Sequence, residues 1–185
     1  MRRAVLALIS AAMTLTLAAC GAPEGEKALA GIRDALAEGA EAAVTAEVSS
    51  TLGGKYAEYT LSCAGSGGEY TLEVLEPAEL AGVSARCSGG EGELEFSGLV
   101  LSCPVPEGLT PLTALPALLE ALEGAQAVLS WSEGDQTLVS LDMDDELGVT
   151  VTFGEDMLPV SAEFTLSGES AAVCEIKEFS ISHGT

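Results

Sequence analysis

The segment Tyr70-Thr71-Leu72-Glu73-Val74 alternates apolar and polar residues at every second position. A period of two predicts a β-strand with one apolar and one polar face. The same alternation recurs around it, with apolar residues at Tyr59, Leu61 and Cys63, at Val83, Ala85 and Cys87, at Leu94 and Phe96, and at Leu99, Leu101 and Cys103. Glycine-rich turn signals separate these runs, so neighbouring strands must be joined by hairpins and the predicted sheet is antiparallel.

Two segments break the alternation with helical spacing. The first predicts an amphipathic helix at about 27–38, with apolar residues at Ala28, Leu29, Ile32, Ala35 and Leu36. The second has leucines at 112, 115, 118, 119 and 122, and Pro116 falls in its first turn, where a missing N–H costs least. After the second helical segment, the alternation of apolar and polar residues returns and continues as far as Ile176. The sequence therefore predicts about ten strands and two helices in one domain.

A sheet that is apolar on one side must bury that side. The helices can cover a concave apolar face, or the sheet can close on itself. The best candidates for lining a hydrophobic cavity are the leucines of the second helix and the single tryptophan, namely Leu112, Leu115, Leu119, Leu122 and Trp131. The alternative for each of them is that it simply fills the core.

The N-terminus has the pattern of an export signal. Arg2 and Arg3 precede an apolar run that is too short to be a stable membrane span. The run ends in Leu17-Ala18-Ala19-Cys20, which resembles the bacterial lipobox, in which the cysteine receives a diacylglycerol and becomes the first residue. We expect a signal peptide at 1–19, a lipidated tether at 20–26 and one domain at 27–185. The alternative is an ordinary signal peptide with an incidental cysteine.

The charge of the chain excludes one class of partner. The full sequence carries a net charge of −22, and removal of residues 1–19 takes away two of the seven basic residues and none of the 29 acidic ones. The mature chain is thus at −24. A field of that sign repels nucleic acid, so no nucleic-acid partner is expected.

Four cysteines remain after Cys20. An even number in an exported protein suggests two disulfides, for which Cys87 with Cys103 and Cys63 with Cys174 are the preferred pairs. Free buried thiols are the alternative. A metal site is not expected, because no Cys-x-x-Cys pair occurs and the only histidine is His183, in the C-terminal Ser-His-Gly-Thr.

The sequence contains no recognisable catalytic constellation. Gly-x-Ser-x-Gly, a phosphate-binding glycine loop and His-Glu-x-x-His are all missing, so we expect neither an enzyme nor a cofactor. The densest acidic run is 142–146, Asp-Met-Asp-Asp-Glu. It could hold calcium, but it lacks the glycine and the distant glutamate of an EF-hand loop. A solvated hairpin turn is the favoured interpretation.

The order of several segments is typical of a known superfamily. These segments are Val44-Thr45-Ala46-Glu47-Val48, then Gly53, Gly54, Tyr56 and Tyr59, then Tyr70 to Pro77 followed by Leu80 to Val83, and a Leu/Pro-rich helix from Leu109 to Leu122. Together with the lipobox they resemble the LolA/LolB-like superfamily, especially its Gram-positive, clostridial germination-type lipoproteins. The resemblance implies a mainly β (α+β) fold, a curved antiparallel half-barrel with two helices covering the concave face over an apolar cavity.

Two functions are consistent with this interpretation. In the first, a non-catalytic lipoprotein, anchored to the outer face of the cell membrane through lipid on Cys20, binds an acyl chain or a lipidated or apolar peptide in the cavity. In the second, the core is filled and the lipoprotein is a scaffold that docks an envelope protein. A long unpaired edge strand would favour the scaffold, since such an edge can accept a partner strand.

Overall fold

The computed structural model describes residues 24–106 and 108–183. Eleven strands form one antiparallel sheet, and two α-helices accompany it. This confirms the predicted mainly β fold, with one strand more than expected. The predicted signal peptide and the lipid site at Cys20 lie outside the described residues. Neither helix in the described ranges is long and apolar enough to cross a membrane.

The elements follow one another with short connections. The helices are α1 (Glu24–Ala37) and α2 (Ala114–Gly124), and a short 3₁₀ turn covers Leu52–Gly54. The strands are β1 (Ala40–Ser50), β2 (Ala57–Ser66), β3 (Glu69–Glu76), β4 (Ser84–Ser88), β5 (Glu91–Phe96), β6 (Leu99–Pro104), β7 (Gln126–Glu133), β8 (Gln136–Asp142), β9 (Leu147–Phe153), β10 (Pro159–Leu166) and β11 (Glu169–His183).

The strand order is β6-β5-β4-β3-β2-β1-β11-β10-β9-β8-β7. The chain runs outward from the central β1 to one edge at β6. It then passes through α2 to the opposite edge at β7 and returns by hairpins to β11, which pairs with β1. Because β6 and β7 do not pair, the sheet is an open, curved half-barrel. Of the two arrangements that the sequence allowed, the sheet covered by helices is therefore the correct one.

The core lies between α2 and the centre of the sheet. Leu115, Leu118, Leu119 and Leu122 are completely or almost completely buried on one face of α2. They belong to the same core as Leu29 and Ile32 of α1 and the inward-facing residues of the strands, among them Val44, Leu61, Val139, Phe153 and Phe164. Burial of this apolar area is the main force that holds both helices on the sheet.

Helix α1 begins at Glu24, three residues before the predicted start, so residues 24–26 are helical. The reason lies in packing at Gly25. A Cβ atom built there would lie 2.5 Å from Cγ2 of Val139 on β8, so only glycine permits this close approach of helix and strand. Glu24 and Glu26 also place negative charge in the first turn, which favours a helix start.

Candidate functional site

A cavity of about 560 Å³ lies beside α2 on the concave side of the sheet. Its apolar floor comes from strands β3, β4 and β5, including Tyr70, Leu72, Val74 and Leu94. Residues 105–106, 108–110 and 112–113, which lead into α2, form the opposite wall together with the N-terminal half of that helix. Exposed residues such as Glu93 and Gly108 contribute to the lining, so the cavity opens to solvent.

Helix α2 has two inward faces with different roles. Thr113, Pro116, Ala117 and Glu120 recur at intervals of three or four and line the cavity, as does Leu112 just before the helix. Leu115, Leu119 and Leu122, which we had also expected in the lining, point into the core instead. At 3.6 residues per turn they lie on the neighbouring face of the helix. The prediction of a cavity lining was therefore wrong for these three leucines.

Trp131 does not line the cavity either. The register of β7 with β8 shifts between Ala127 and Leu129, which is a β-bulge. After the bulge Ser130 pairs with the buried Val139, and Trp131 pairs with the half-buried Leu138 on the other face. The Trp131 indole donates a hydrogen bond of 2.9 Å to Glu133 in an exposed position. One extra residue reverses the faces of a strand, and so the prediction for Trp131 was wrong.

Tyr70 and Glu120 are two of the polar residues that line the cavity. Tyr70 is only 3% exposed, and its hydroxyl has no hydrogen-bond partner among the described residues. Burial raises the pKa of Tyr70 above its usual range. Burial, with a smaller effect from Glu123, also raises the pKa of Glu120. The sequence patterns did not identify Tyr70 or Glu120 as a polar group of the cavity, although the alternation of β3 placed Tyr70 on the apolar face.

The four cysteines in the described residues are free thiols. The predicted pair of Cys63 with Cys174 cannot form, because these residues lie opposite Val44 and Val48 of β1. Four residues of strand separate those positions by about 13 Å. Cys63 and Cys174 are instead buried among apolar groups, and this burial raises the pKa of each thiol to about 12.

The second predicted pair, Cys87 with Cys103, is not formed either. Both residues lie opposite Gly92 of β5, one on each side, so two strand spacings of about 10 Å in total separate their backbones. A disulfide requires Cα atoms within about 7 Å. Both thiols are half-buried and line the cavity.

The acidic run at 142–146 forms a turn between β8 and β9. Oδ1 of Asp144 accepts hydrogen bonds of 2.8 Å from the N–H groups of both Glu146 and Leu147. These bonds lower the pKa of Asp144. Within 24–106 and 108–183, no three His, Cys, Asp or Glu side chains come together in a way that could hold a metal ion.

Comparisons with known proteins bear on the fold alone. No family model matches the sequence, and no match was found among the curated proteins. An uncharacterized conserved protein from Thermus thermophilus has a similar structure, with a TM-score of 0.50, 11% identity, and coverage of 88% of this chain and 90% of that one. At this identity the likeness extends to the fold and not to an activity.

Two further solved structures are similar at lower scores. One is a DUF1329 family protein from Desulfovibrio piger, with a TM-score of 0.47, 11% identity, and coverage of 88% of this chain and 93% of that one. The other is a LolA superfamily protein from Nitrosomonas europaea, with a TM-score of 0.41, 11% identity, and coverage of 85% and 94%. Both scores fall below 0.5, so neither structure supports a functional argument.

Proposed function

We propose that this protein is a non-catalytic, extracytoplasmic lipoprotein that holds an acyl chain or another extended apolar group in the cavity beside α2. The observation that carries the proposal is the open space between α2 and the concave face of β3–β6, lined mainly by apolar side chains. Its volume lies within the roughly 300–1,000 Å³ of cavities that bind small molecules.

The affinity of such a site comes from apolar burial. Each buried methylene contributes roughly 0.8 kcal/mol, so about ten of them contribute about 8 kcal/mol. That gain is of the same order as the free-energy cost of association. The site is therefore suited to long alkyl chains, and short ones bind weakly.

Lipid on Cys20 would hold this domain close to the membrane. Two acyl chains anchor a protein stably, whereas one does not. From Cys20 to Glu24, where α1 begins, the chain has four residues and spans at most about 14 Å. A binding domain on such a tether stays near the membrane surface, which is where long-chain ligands are found.

A specific feature also favours the second candidate function, an envelope scaffold of the clostridial germination type. Strand β6 is an edge of the sheet, and three successive apolar residues on it are largely exposed: Leu99 (77%), Val100 (61%) and Leu101 (63%). Exposed apolar edge strands accept a strand from a partner. The cavity has a defined volume and lining, whereas the edge strand does not indicate which protein would bind it. We therefore rank ligand binding above the scaffold function.

The proposal is tested with Nile red, an uncharged dye that fluoresces in apolar surroundings, and residues 21–185 without lipid. We expect the wild type to bind the dye and Ala117→Trp to lose binding, because Ala117 lines the cavity from α2. Leu94→Trp on β5 fills the cavity from the opposite side and is a second blocking variant.

The matched control is Ser132→Trp, which adds the same side chain at an exposed position on β7. It should bind Nile red like the wild type. Circular dichroism establishes that each variant is folded. Undiminished binding by both folded cavity variants would overturn the proposal.

A further inference from the structure

The lining of the cavity contains an unsatisfied polar group. Tyr70 lies opposite Gly65 of β2 and Cys87 of β4, next to the turn between β2 and β3. Its side chain is only 3% exposed and lines the cavity, yet its hydroxyl has no hydrogen-bond partner in the described residues. A buried hydroxyl without a partner is unfavourable, so its presence in a cavity points to a ligand that satisfies it.

The groups nearest to this hydroxyl leave it available. The backbone of Gly68 lowers the pKa of Tyr70, although its contact with the hydroxyl does not reach the geometry of a hydrogen bond. The charges of Glu123 and Glu120 both raise that pKa, after the larger effect of burial. Glu123 already accepts hydrogen bonds of 3.0 and 3.1 Å from the N–H of Gly67. Glu120 lines the cavity and accepts no hydrogen bond from the described residues, so it is the carboxylate that remains available to a ligand.

The charge around the cavity has one sign. Glu93, Glu120 and Asp144 line it, whereas none of its described lining residues is lysine, arginine or histidine. An anionic head, such as a fatty-acid carboxylate or a phosphate, would therefore meet repulsion and no cation. A cationic head would instead be attracted by these carboxylates. In a partly buried site, the difference in electrostatic energy between the two kinds of head is larger than in water.

We infer that the cavity selects amphiphiles with an ammonium head, whose N–H groups donate to the Tyr70 hydroxyl and the Glu120 carboxylate while the alkyl chain occupies the apolar floor. This inference rests on the proposed function, because it assigns the head group of the ligand that the cavity holds. The ammonium group supplies donors for the oxygen atoms of these two side chains and a positive charge opposite to that of the Glu120 carboxylate.

The test compares dodecylamine with dodecanoate, which have equal chain length and opposite charge at pH 7.5, as displacers of Nile red. Salt at 0.15 M screens the general acidic surface of the protein. We expect dodecylamine to bind about tenfold more tightly than dodecanoate. A charge-assisted hydrogen bond of ordinary strength accounts for a factor of that size.

Two variants assign the preference to the named groups. Tyr70→Phe removes only an oxygen that has no partner in the described part of the protein, and Glu120→Gln removes the charge. Each should lower the affinity for dodecylamine about three- to tenfold. The control is Glu163→Gln, the same charge change at an exposed position on β10, which should alter dodecylamine binding less than twofold.

The outcomes separate this inference from the proposed function. Displacement of Nile red by both compounds with equal affinity, or more strongly by dodecanoate, overturns the ammonium preference and leaves the cavity as a general apolar site. An equal loss of dodecylamine affinity in Glu163→Gln also overturns the ammonium preference, because the overall negative charge of the protein would then explain it. If wild-type protein binds neither Nile red nor either amphiphile, the proposed function itself fails.

Discussion

The Arg33 guanidinium on α1 donates a hydrogen bond of 3.0 Å from Nε to the carbonyl oxygen of Leu122, in the last turn of α2. Its Nη2 atom also donates to the carbonyl oxygens of Ala121 and Ala125. A cation at this position adds donors to carbonyl groups at the C-terminal end of the helix, where the Ala121 carbonyl also accepts from the N–H of Ala125, and it complements the helix dipole. The C-terminal end of α2 is thus tied to α1, while its N-terminal half borders the cavity.

Loss of this contact should destabilise the fold. We expect Arg33→Ala to lower the free energy of unfolding by about 1–3 kcal/mol, because three carbonyl groups lose a charged donor. Urea denaturation measures the change. The control is Arg86→Ala on β4, which is exposed and makes no ion pair in the described structure, and its effect should stay within about 0.5 kcal/mol. Equal effects in the two variants would contradict the role of Arg33.

The two faces of α2 should respond differently to truncation. Leu119 is 1% exposed in the core, whereas Leu112 borders the cavity and is 40% exposed. Leu119→Ala should therefore cost about 2–5 kcal/mol of unfolding free energy, and Leu112→Ala less than about 1 kcal/mol. Denaturation of both variants measures this. A larger loss for Leu112→Ala would mean that the space beside α2 is packed core.

Buried thiols make the protein sensitive to alkali. In the unfolded chain a thiol ionises near pH 8.5, whereas burial raises the pKa of Cys63 and Cys174 to about 12. Above about pH 8.5 the unfolded state alone loses these protons, so stability falls as the pH rises. The loss is about 1 kcal/mol per thiol for each pH unit.

Urea denaturation between pH 8 and pH 10, with a reducing agent present, measures this slope. Cys174→Ala should make the slope shallower, because one of the buried thiols is gone. A slope that is the same with and without Cys174 would show that this thiol ionises as readily in the folded protein as in the unfolded chain.

Thiol labelling distinguishes the cavity from the core. Cys87 and Cys103 line the open cavity, and Cys63 and Cys174 are buried. In residues 21–185 we expect a maleimide to modify two of the four thiols in the native state, and a bound long-chain amphiphile to slow both reactions. Mass spectrometry after digestion identifies the sites. Rapid labelling of Cys63 or Cys174 in the native state would contradict this arrangement.

The sequence predicted the fold better than the site. Strand alternation and helical spacing identified the antiparallel sheet and both helices, because each pattern is local and depends on one buried face. The site depends on features that are not local. A bulge of one residue moved Trp131 to the outer face, and the position of α2 over the sheet decided which leucines meet the core.

The prediction of two disulfide pairs was wrong for a related reason. Parity placed Cys63, Cys87 and Cys103 on the same face of the sheet but said nothing of their distance across it. The strand register supplies that distance, and it places each predicted pair two strands apart. Tyr70 was visible as an apolar position in β3, and only the three-dimensional structure shows that its hydroxyl is left without a partner among the described residues.

Ligand binding in the cavity is tested most directly by native mass spectrometry of residues 21–185, secreted without lipid from a bacterial host. We predict a bound mass of several hundred daltons, released as a long-chain amphiphile under denaturing conditions, and a protein mass that corresponds to four free thiols. A bare monomer that also fails to take up added dodecylamine would contradict ligand binding and leave the exposed edge at β6 as the functional surface.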